Sequence, residues 1–287
     1  MRINTNVSSL TAQEANVNTN GQLRNSLEKL SSGLRINKAS DDASGLAIAD
    51  KLRTQASSIK QSISNGNSAT ALLQIGDKAM AEQSNILDIV KQKLIQAATA
   101  TTSQEGRTAI AKDINKLLTQ LDNIATQTNY NGISLLQESA GGTDASTEQT
   151  FQMGEKAANT ISLDAGIQAN TEGLEEMDTL KTNTSGTNAD SFTAGSARDF
   201  MADVDSALNQ LNSWRSDVGS TQNQLESALR NMMTQKTNIK AAESVIRDVD
   251  YASESANFNK QNIIAQAGTY AMSQSNAIQQ NVLRLLQ

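Results

Sequence analysis

Only four Phe, three Tyr and one Trp occur among 287 residues, so any core must be built from Leu, Ile, Val, Ala and Met. Pro, Cys and His are all absent, which excludes disulfides, thiolate nucleophiles, histidine acid–base catalysis and the usual zinc ligand sets. A net charge of −6 and a pI near 4.9 leave no basic surface for nucleic acid. No apolar run reaches the length of a membrane span, and Met1 to Asn6 has no signal-peptide character, so if the protein leaves the cell it is expected to do so without a cleavable signal.

From the amino end, Ile3, Val7, Leu10 and Val17, then Leu23, Leu27, Leu30 and Leu34, form two apolar registers offset near Gly21. Asn37 to Gly45 is polar and helix-breaking, with Ser40, Asp41 and Asp42 as helix-cap candidates. A seven-residue series then runs through Leu52, Ile59, Gly66, Leu73, Met80, Leu87 and Leu94. A helix over 46–98 would approach a length of about 80 Å and needs long partners. Ile110, Ile114, Leu117, Leu121 and Ile124 supply one. Thr102-x-x-Glu105 reads as a capping box before it, and Asn131-Gly132 as a tight turn after it. Alternation around Phe151 to Gly154 and Thr160 to Asp164 suggests a hairpin.

Residues 139–198 hold nine acids against three bases, which accounts for the whole net charge, and seven of the sixteen glycines. The segment reads as loop-rich and solvent-facing, Thr184 included. A second long register follows through Val204, Leu208, Leu211, Val218, Leu225, Leu229, Met232, Ile239 and Ile246. Gln261 to Leu283 carries no charge, yet is rich in Asn and Gln, too polar for a bilayer and too uncharged for an exposed helix. Its seam is Ile264, Ala267, Ala271, Ile278 and Leu285, widened by Val282 and Leu286. Two apolar, nearly uncharged chain ends are explained if both are buried against other copies in an assembly.

Smaller signals have plain readings. Asp203 with Asp205, and Asp248 with Asp250, point apart at i and i+2 on a helix and read as surface acids. Without His, a serine nucleophile has only a Ser–Lys arrangement open to it. No phosphate-cradling glycine motif is present, and no cofactor is expected. Phe200 and Trp214 read as core or rod-interface residues.

The run Leu30-Ser-Ser-Gly-Leu-Arg-Ile-Asn-Lys-Ala-Ser-Asp-Asp-Ala-Ser-Gly-Leu-Ala-Ile-Ala49 resembles the amino-terminal signature of bacterial flagellin. Gln266 to Met272, with Gln280 to Leu286, is similar to the carboxyl-terminal one. The resemblance covers roughly 1–137 and 198–287. It implies a mainly α fold: a long antiparallel helical rod or coiled coil with a short β-hairpin element and paired N- and C-terminal helices. Residues 1–43 and 248–287 would form the inner filament tube and 44–247 the rod, with helices near 46–98, 105–128 and 199–246. The 139–198 segment would stand in place of large outer domains, and Asn37 to Gly45 would be the spoke between layers.

The implied function is structural, not enzymatic: a subunit that polymerises into the flagellar filament for swimming. The alternatives are a hook-filament junction protein or a secreted coiled-coil translocator. Filament-core assembly would fall to Ile3, Val7, Leu10, Val17, Leu27, Leu30, Leu34, Ile264, Ala267, Ala271, Ile278, Val282, Leu285 and Leu286. Implied partners are further copies of the chain, hook-junction and cap proteins and a flagellar export chaperone, with no nucleic acid and no membrane insertion. Location would be extracellular, by the flagellar type III route. In flagellins that a Toll-like innate receptor detects, the first long rod helix carries an Arg, a Glu three places later, then a Leu. Matching the flanks puts Ile89, Gln92 and Lys93 there, so the resemblance implies weak recognition at most.

Overall fold

The computed structural model describes residues 5–137, 148–164, 166–174 and 177–285, the side chains of 279 and 282–285 excepted. Six α-helices are described: α1 Val7–Ser32, α2 Ala43–Ala98, α3 Gln104–Gln127, α4 Met177–Asn183, α5 Ala194–Arg247 and α6 Tyr251–Leu285. Four short strands lie between α3 and α4: β1 Asn129–Tyr130, β2 Ile133–Ser134, β3 Gln149–Gln152 and β4 Thr160–Leu163. They make two antiparallel hairpins, β1–β2 and β3–β4. The chain divides into two compact units, 1–57 with 236–287, and 58–235.

In the first unit α1 and α6 lie antiparallel. Asn6 Nδ2 donates to Ser275 O at 3.3 Å at one end, and Tyr251 Oη donates to Leu30 O at 3.2 Å at the other. Asn6 caps α1 by accepting from Ser9 N at 3.1 Å. Gly33 ends the helix in the left-handed region at φ 72°, its N–H donating to Lys29 O at 2.9 Å. A Cβ there would also stand 3.1 Å from Tyr251 Oη, so glycine is required twice over.

The break after α1 and the break before α6 fasten to each other. Arg35 N donates to Arg247 O at 2.6 Å and Val249 N to Gly33 O at 3.0 Å, framing a single antiparallel bridge between Leu34 and Asp248. Asp42 is the cap of α2, accepting from Gly45 N at 2.8 Å. Asp41 instead braces the loop, accepting from Asn37 N and Lys38 N at 3.0 Å each. Those backbone N–H groups, Lys38 first, hold its carboxyl below the usual carboxylate range. Asp250, read as a surface acid, caps α6 through Ala252 N at 3.0 Å.

In the second unit α2 runs antiparallel to both α3 and α5. The register of α2 on α5 is marked by Gly66 beside Leu229, Asp77 with Arg215, Lys91 with Asp205 and Ala98 with Arg198. That of α2 on α3 is marked by Gln83 with Leu121, Lys93 with Asp113 and Ala97 with Arg107. The expected heptad is the core: Leu73, Met80, Leu87 and Leu94 are at most 2% exposed, as are Ile114 and Leu121 of α3 and Val204, Leu211 and Leu225 of α5. Gly66 interrupts the apolar series because Met153 and Leu229 fill its place, and a Cβ would lie 2.7 Å from Met153 Cε. The hairpin expected near 151–164 is β3–β4, and the Asn131-Gly132 turn joins β1 to β2.

Three expectations need correction. The cap of α3 is Ser103, whose Oγ accepts from Gly106 N at 3.2 Å, while Thr102 donates back to Gln96 O, so Thr102-x-x-Glu105 is no capping box. The long carboxyl-side helix begins at Ala194, earlier than 199. The acidic segment is not simply solvent-facing: Met153, Leu163, Ile167, Leu174, Met177, Leu180 and Phe192 are all buried. Phe192 stacks on Phe200, ring centroids 6.4 Å apart. Two polar clips tie the segment to the helices. Buried Gln83 donates through Nε2 to Leu121 O and to Ala169 O at 2.5 Å. Asp122 on α3 accepts from Thr171 N at 2.8 Å and from Lys181 Nζ at 2.5 Å. Charge and glycine content conceal these anchors, because apolar residues separated by loops have no period.

Candidate functional site

The α1–α6 pair has two kinds of face, and most of the large apolar side chains singled out from the sequence are not on the inner one. Turned toward the partner helix at 3/4 spacing are Ser9, Ala12, Asn16, Thr19, Leu23, Ser26 and Leu30 of α1, all buried or half-buried. Phe258, Gln261, Ala265, Gly268, Met272 and Ser275 of α6 are their half-buried counterparts. Small and polar residues therefore make most of the seam. Asn16 and Gly268 meet where a Cβ on the glycine would lie 3.4 Å from Asn16 Nδ2. Its polar groups are satisfied locally, Thr19 Oγ1 by Ala15 O at 2.8 Å and Asn16 Oδ1 by Asn20 Nδ2 at 2.6 Å.

Outward lie most of the residues singled out from the sequence. Val7, Leu10, Val17 and Leu27 of α1 are each more than half exposed, with Val17 at 63%, and Ile264 and Ile278 of α6 are 42% and 54% exposed. Ala267 and Ala271 are also exposed, whereas Leu30 and Leu34 are half-buried. Ile263 and Tyr270 extend the apolar surface of α6 at 68% and 75%. Ile3 and Leu286 lie outside the described residues, as do the side chains of Val282 and Leu285.

Most of the expected registers thus belong to surfaces; the inner seam shares only Leu23 and Leu30 with them and is otherwise a separate register that hydrophobicity alone does not reveal. A signal for it exists in the 3/4 spacing of small residues at 9, 12, 16, 19 and 26. A fully buried Val, Leu or Ile side chain is worth roughly 1.5–3 kcal/mol. Six such residues left about half outside represent roughly 5–9 kcal/mol per chain that only another surface can recover, less the entropy of ordering them. Among the described residues no cluster of His, Cys, Asp or Glu is arranged to hold a metal ion, and no helix is long and apolar enough to cross a membrane.

Two family models match: the bacterial flagellin N-terminal helical region over residues 3–141 and the bacterial flagellin C-terminal helical region over 201–286. Flagellin of Bacillus subtilis is 34% identical with both chains covered in full. The chain belongs to the bacterial flagellin family. The flagellar filament 30.7 kDa core protein of Treponema maltophilum is 33% identical, again with both chains covered in full. A putative flagellar hook-associated protein from Vibrio parahaemolyticus has a similar fold, with TM-score 0.58 at 14% identity over 72% of this chain and 99% of that one.

At the stretch where some flagellins carry the receptor-facing triplet, α2 places Ile89 at the surface, 42% exposed, and Gln92 beside it, also exposed. Lys93 is half-buried and ion-paired with Asp113 of α3 at 3.1 Å. This pair was not foreseen, since nothing in the spacing of the two residues links them.

Proposed function

We propose that the chain is the structural subunit of a bacterial flagellar filament, repeating one head-to-tail interface with a rotation that does not close. Residues 1–43 and 248–287 form the inner tube and 44–247 the rod, the acidic 139–198 segment standing in place of large outer domains. The observation that carries this is the outward apolar face on both terminal helices, residues Val7, Leu10, Val17, Leu27, Ile264 and Ile278, in a flagellin whose full-length relatives include a filament core protein. The hook-junction reading draws only on a fold likeness at 14% identity, and the translocator reading lacks the basic face a membrane-active helix uses.

The chain is exported unfolded through the flagellar type III route, with an export chaperone, hook-junction proteins and a cap as partners, and works outside the cell. Electron microscopy of purified protein after induced polymerisation tests the reading. Long filaments of one diameter are expected, and a protein that stays monomeric or closes into rings overturns it.

Toll-like receptor recognition is weak. Ile89 and Gln92 offer no guanidinium fork, and Lys93 brings a cation already engaged by Asp113. In a receptor-reporter cell assay the wild-type monomer signals weakly, and Ile89→Arg, Gln92→Glu and Lys93→Leu together raise the response. A strong wild-type response would refute this.

A further inference from the structure

The chain contains three Asn-Gly dipeptides: Asn20-Gly21, Asn65-Gly66 and Asn131-Gly132. In such a pair the backbone nitrogen is unhindered, because glycine has no Cβ beside it, and asparagine is the more thermolabile for it. Two of the three are locked. Asn20-Gly21 and Asn65-Gly66 lie inside α1 and α2, where each glycine N–H belongs to the i to i−4 ladder. Their side-chain amides are engaged as well. Asn20 Nδ2 donates to Asn16 Oδ1 at 2.6 Å; Asn65 Oδ1 accepts from Gln61 Nε2 at 3.0 Å, and its Nδ2 donates to Gln152 O at 3.3 Å.

Asn131-Gly132 differs in each respect. The two residues are the whole loop of the β1–β2 hairpin, with φ 53° and 83°, and both are exposed. Among the described residues the Asn131 side chain makes no hydrogen bond. The hairpin that holds the turn has only two residue pairs, Asn129 with Ser134 and Tyr130 with Ile133, so it opens locally at little cost.

We infer that Asn131-Gly132 is a site of spontaneous modification, at which the folded chain converts an asparagine to aspartate and isoaspartate. In the opened turn Gly132 N loses its proton and attacks Asn131 Cγ. The N–Cγ bond forms, the Cγ–Nδ2 bond breaks, and Nδ2 leaves as ammonia after taking up a proton, giving a five-membered succinimide. Water then adds to one of the two ring carbonyls and breaks its bond to the ring nitrogen, producing either aspartate or isoaspartate. Nothing is oxidised or reduced.

The consequence is local and charged. Asn131 lines a groove of about 300 Å³ with Tyr130, Ile133, Phe151 and Asn65, and conversion puts a carboxylate on this uncharged rim. The isoaspartate form also adds a methylene to the backbone of a two-residue loop that has no slack, which unpairs β1 from β2. The site thus adds one negative charge per converted subunit as the protein ages.

Full-length protein incubated at mildly alkaline pH tests this. Peptide mass spectrometry follows the replacement of NH by O, and labelling with a protein-isoaspartate methyltransferase reports the isoaspartate product. In the folded chain the Asn131 peptide converts about tenfold or more faster than the Asn65 peptide, as expected for a helix that opens rarely. In urea the two rates converge to within a few-fold. Gly132→Asn, which keeps a residue tolerant of the left-handed region but crowds the nucleophile, removes most of the conversion. An Asn131 peptide that stays intact in the folded chain, or converts no faster than Asn65, would overturn the inference, as would an undiminished rate in Gly132→Asn.

Discussion

Gly66 and Gly76 stand ten residues apart on α2, and packing requires glycine only at the first. A Cβ on Gly66 would meet Met153 Cε at 2.7 Å and Leu229 Cδ2 at 2.8 Å. A Cβ on Gly76 would meet nothing within 4 Å although the residue is buried, because it borders a cavity of about 20 Å³ walled by Leu73, Met80, Ile167 and Val218. Gly76→Ala is therefore expected to stabilise the fold by about 1 kcal/mol, through helix propensity and a narrower cavity. Gly66→Ala should cost about 1–3 kcal/mol by overpacking. Thermal unfolding followed by circular dichroism should move in opposite directions for the two, and a shared sign would contradict the packing described. The periodicity of α2 was legible in the sequence, but which of its glycines packing requires was not, since that is decided by Met153 and Leu229, far along the chain.

At the scale of elements, long helices were legible because their registers persist over many turns, and the two hairpins because Asn-Gly and strand alternation are local signals. What escaped the sequence was contact between distant segments: the Gln83 and Asp122 clips, the buried anchors of the acidic segment, and the small-residue seam of α1 with α6. Thr184 shows the cost of that blindness, being fully buried with Oγ1 donating to Leu180 O at 2.8 Å. Thr184→Asp would press a carboxylate against carbonyl oxygens and should destabilise by several kcal/mol. Exposed Thr187 is the proper control. In a sedimentation assay Ile264→Asp or Ile278→Asp should lose most polymer while melting like wild type, Thr184→Asp should melt early, and Thr187→Asp should do neither. Full polymer yield from both isoleucine variants would remove the outward faces from assembly.

The loop between α1 and α2 gives a pH dependence of defined sign. Asp41 is held below the usual carboxylate range by the N–H groups of Lys38 and Asn37. Its contribution is present above that range and is lost as pH falls through the lowered folded value. Asp41→Asn should lower the thermal midpoint of assembled protein at neutral pH and make little difference in acid below the range. An equal deficit at both would show that the carboxylate charge is not what braces the loop.

For the whole molecule the two units differ in what each can bury unaided. The 58–235 unit closes its own core: Leu73, Met80, Leu87 and Leu94 of α2, Ile114 and Leu121 of α3, Val204, Leu211 and Leu225 of α5 and the anchors of the acidic segment are all buried within it. The unit made of 1–57 with 236–287 turns its best apolar residues outward and pairs α1 with α6 largely through Asn16, Thr19, Ser26 and Gly268. A seam of that kind recovers little hydrophobic free energy, while ordering each residue costs about 1–2 kcal/mol in backbone entropy. In the isolated chain the helical pair should therefore open often, and in polymer it should close, because only there are Val7, Leu10, Val17, Leu27, Ile264 and Ile278 covered. Limited proteolysis distinguishes the two states. Monomer should be trimmed from both ends to a resistant fragment of roughly 46–246, and polymer should resist. Deleting Val282 to Gln287 should block polymer formation while leaving the helicity of that fragment unchanged by circular dichroism. Monomer ends as resistant as the middle, or normal filaments from the truncated chain, would mean that the terminal pair is stable without neighbours, and the outward apolar faces would then need another explanation.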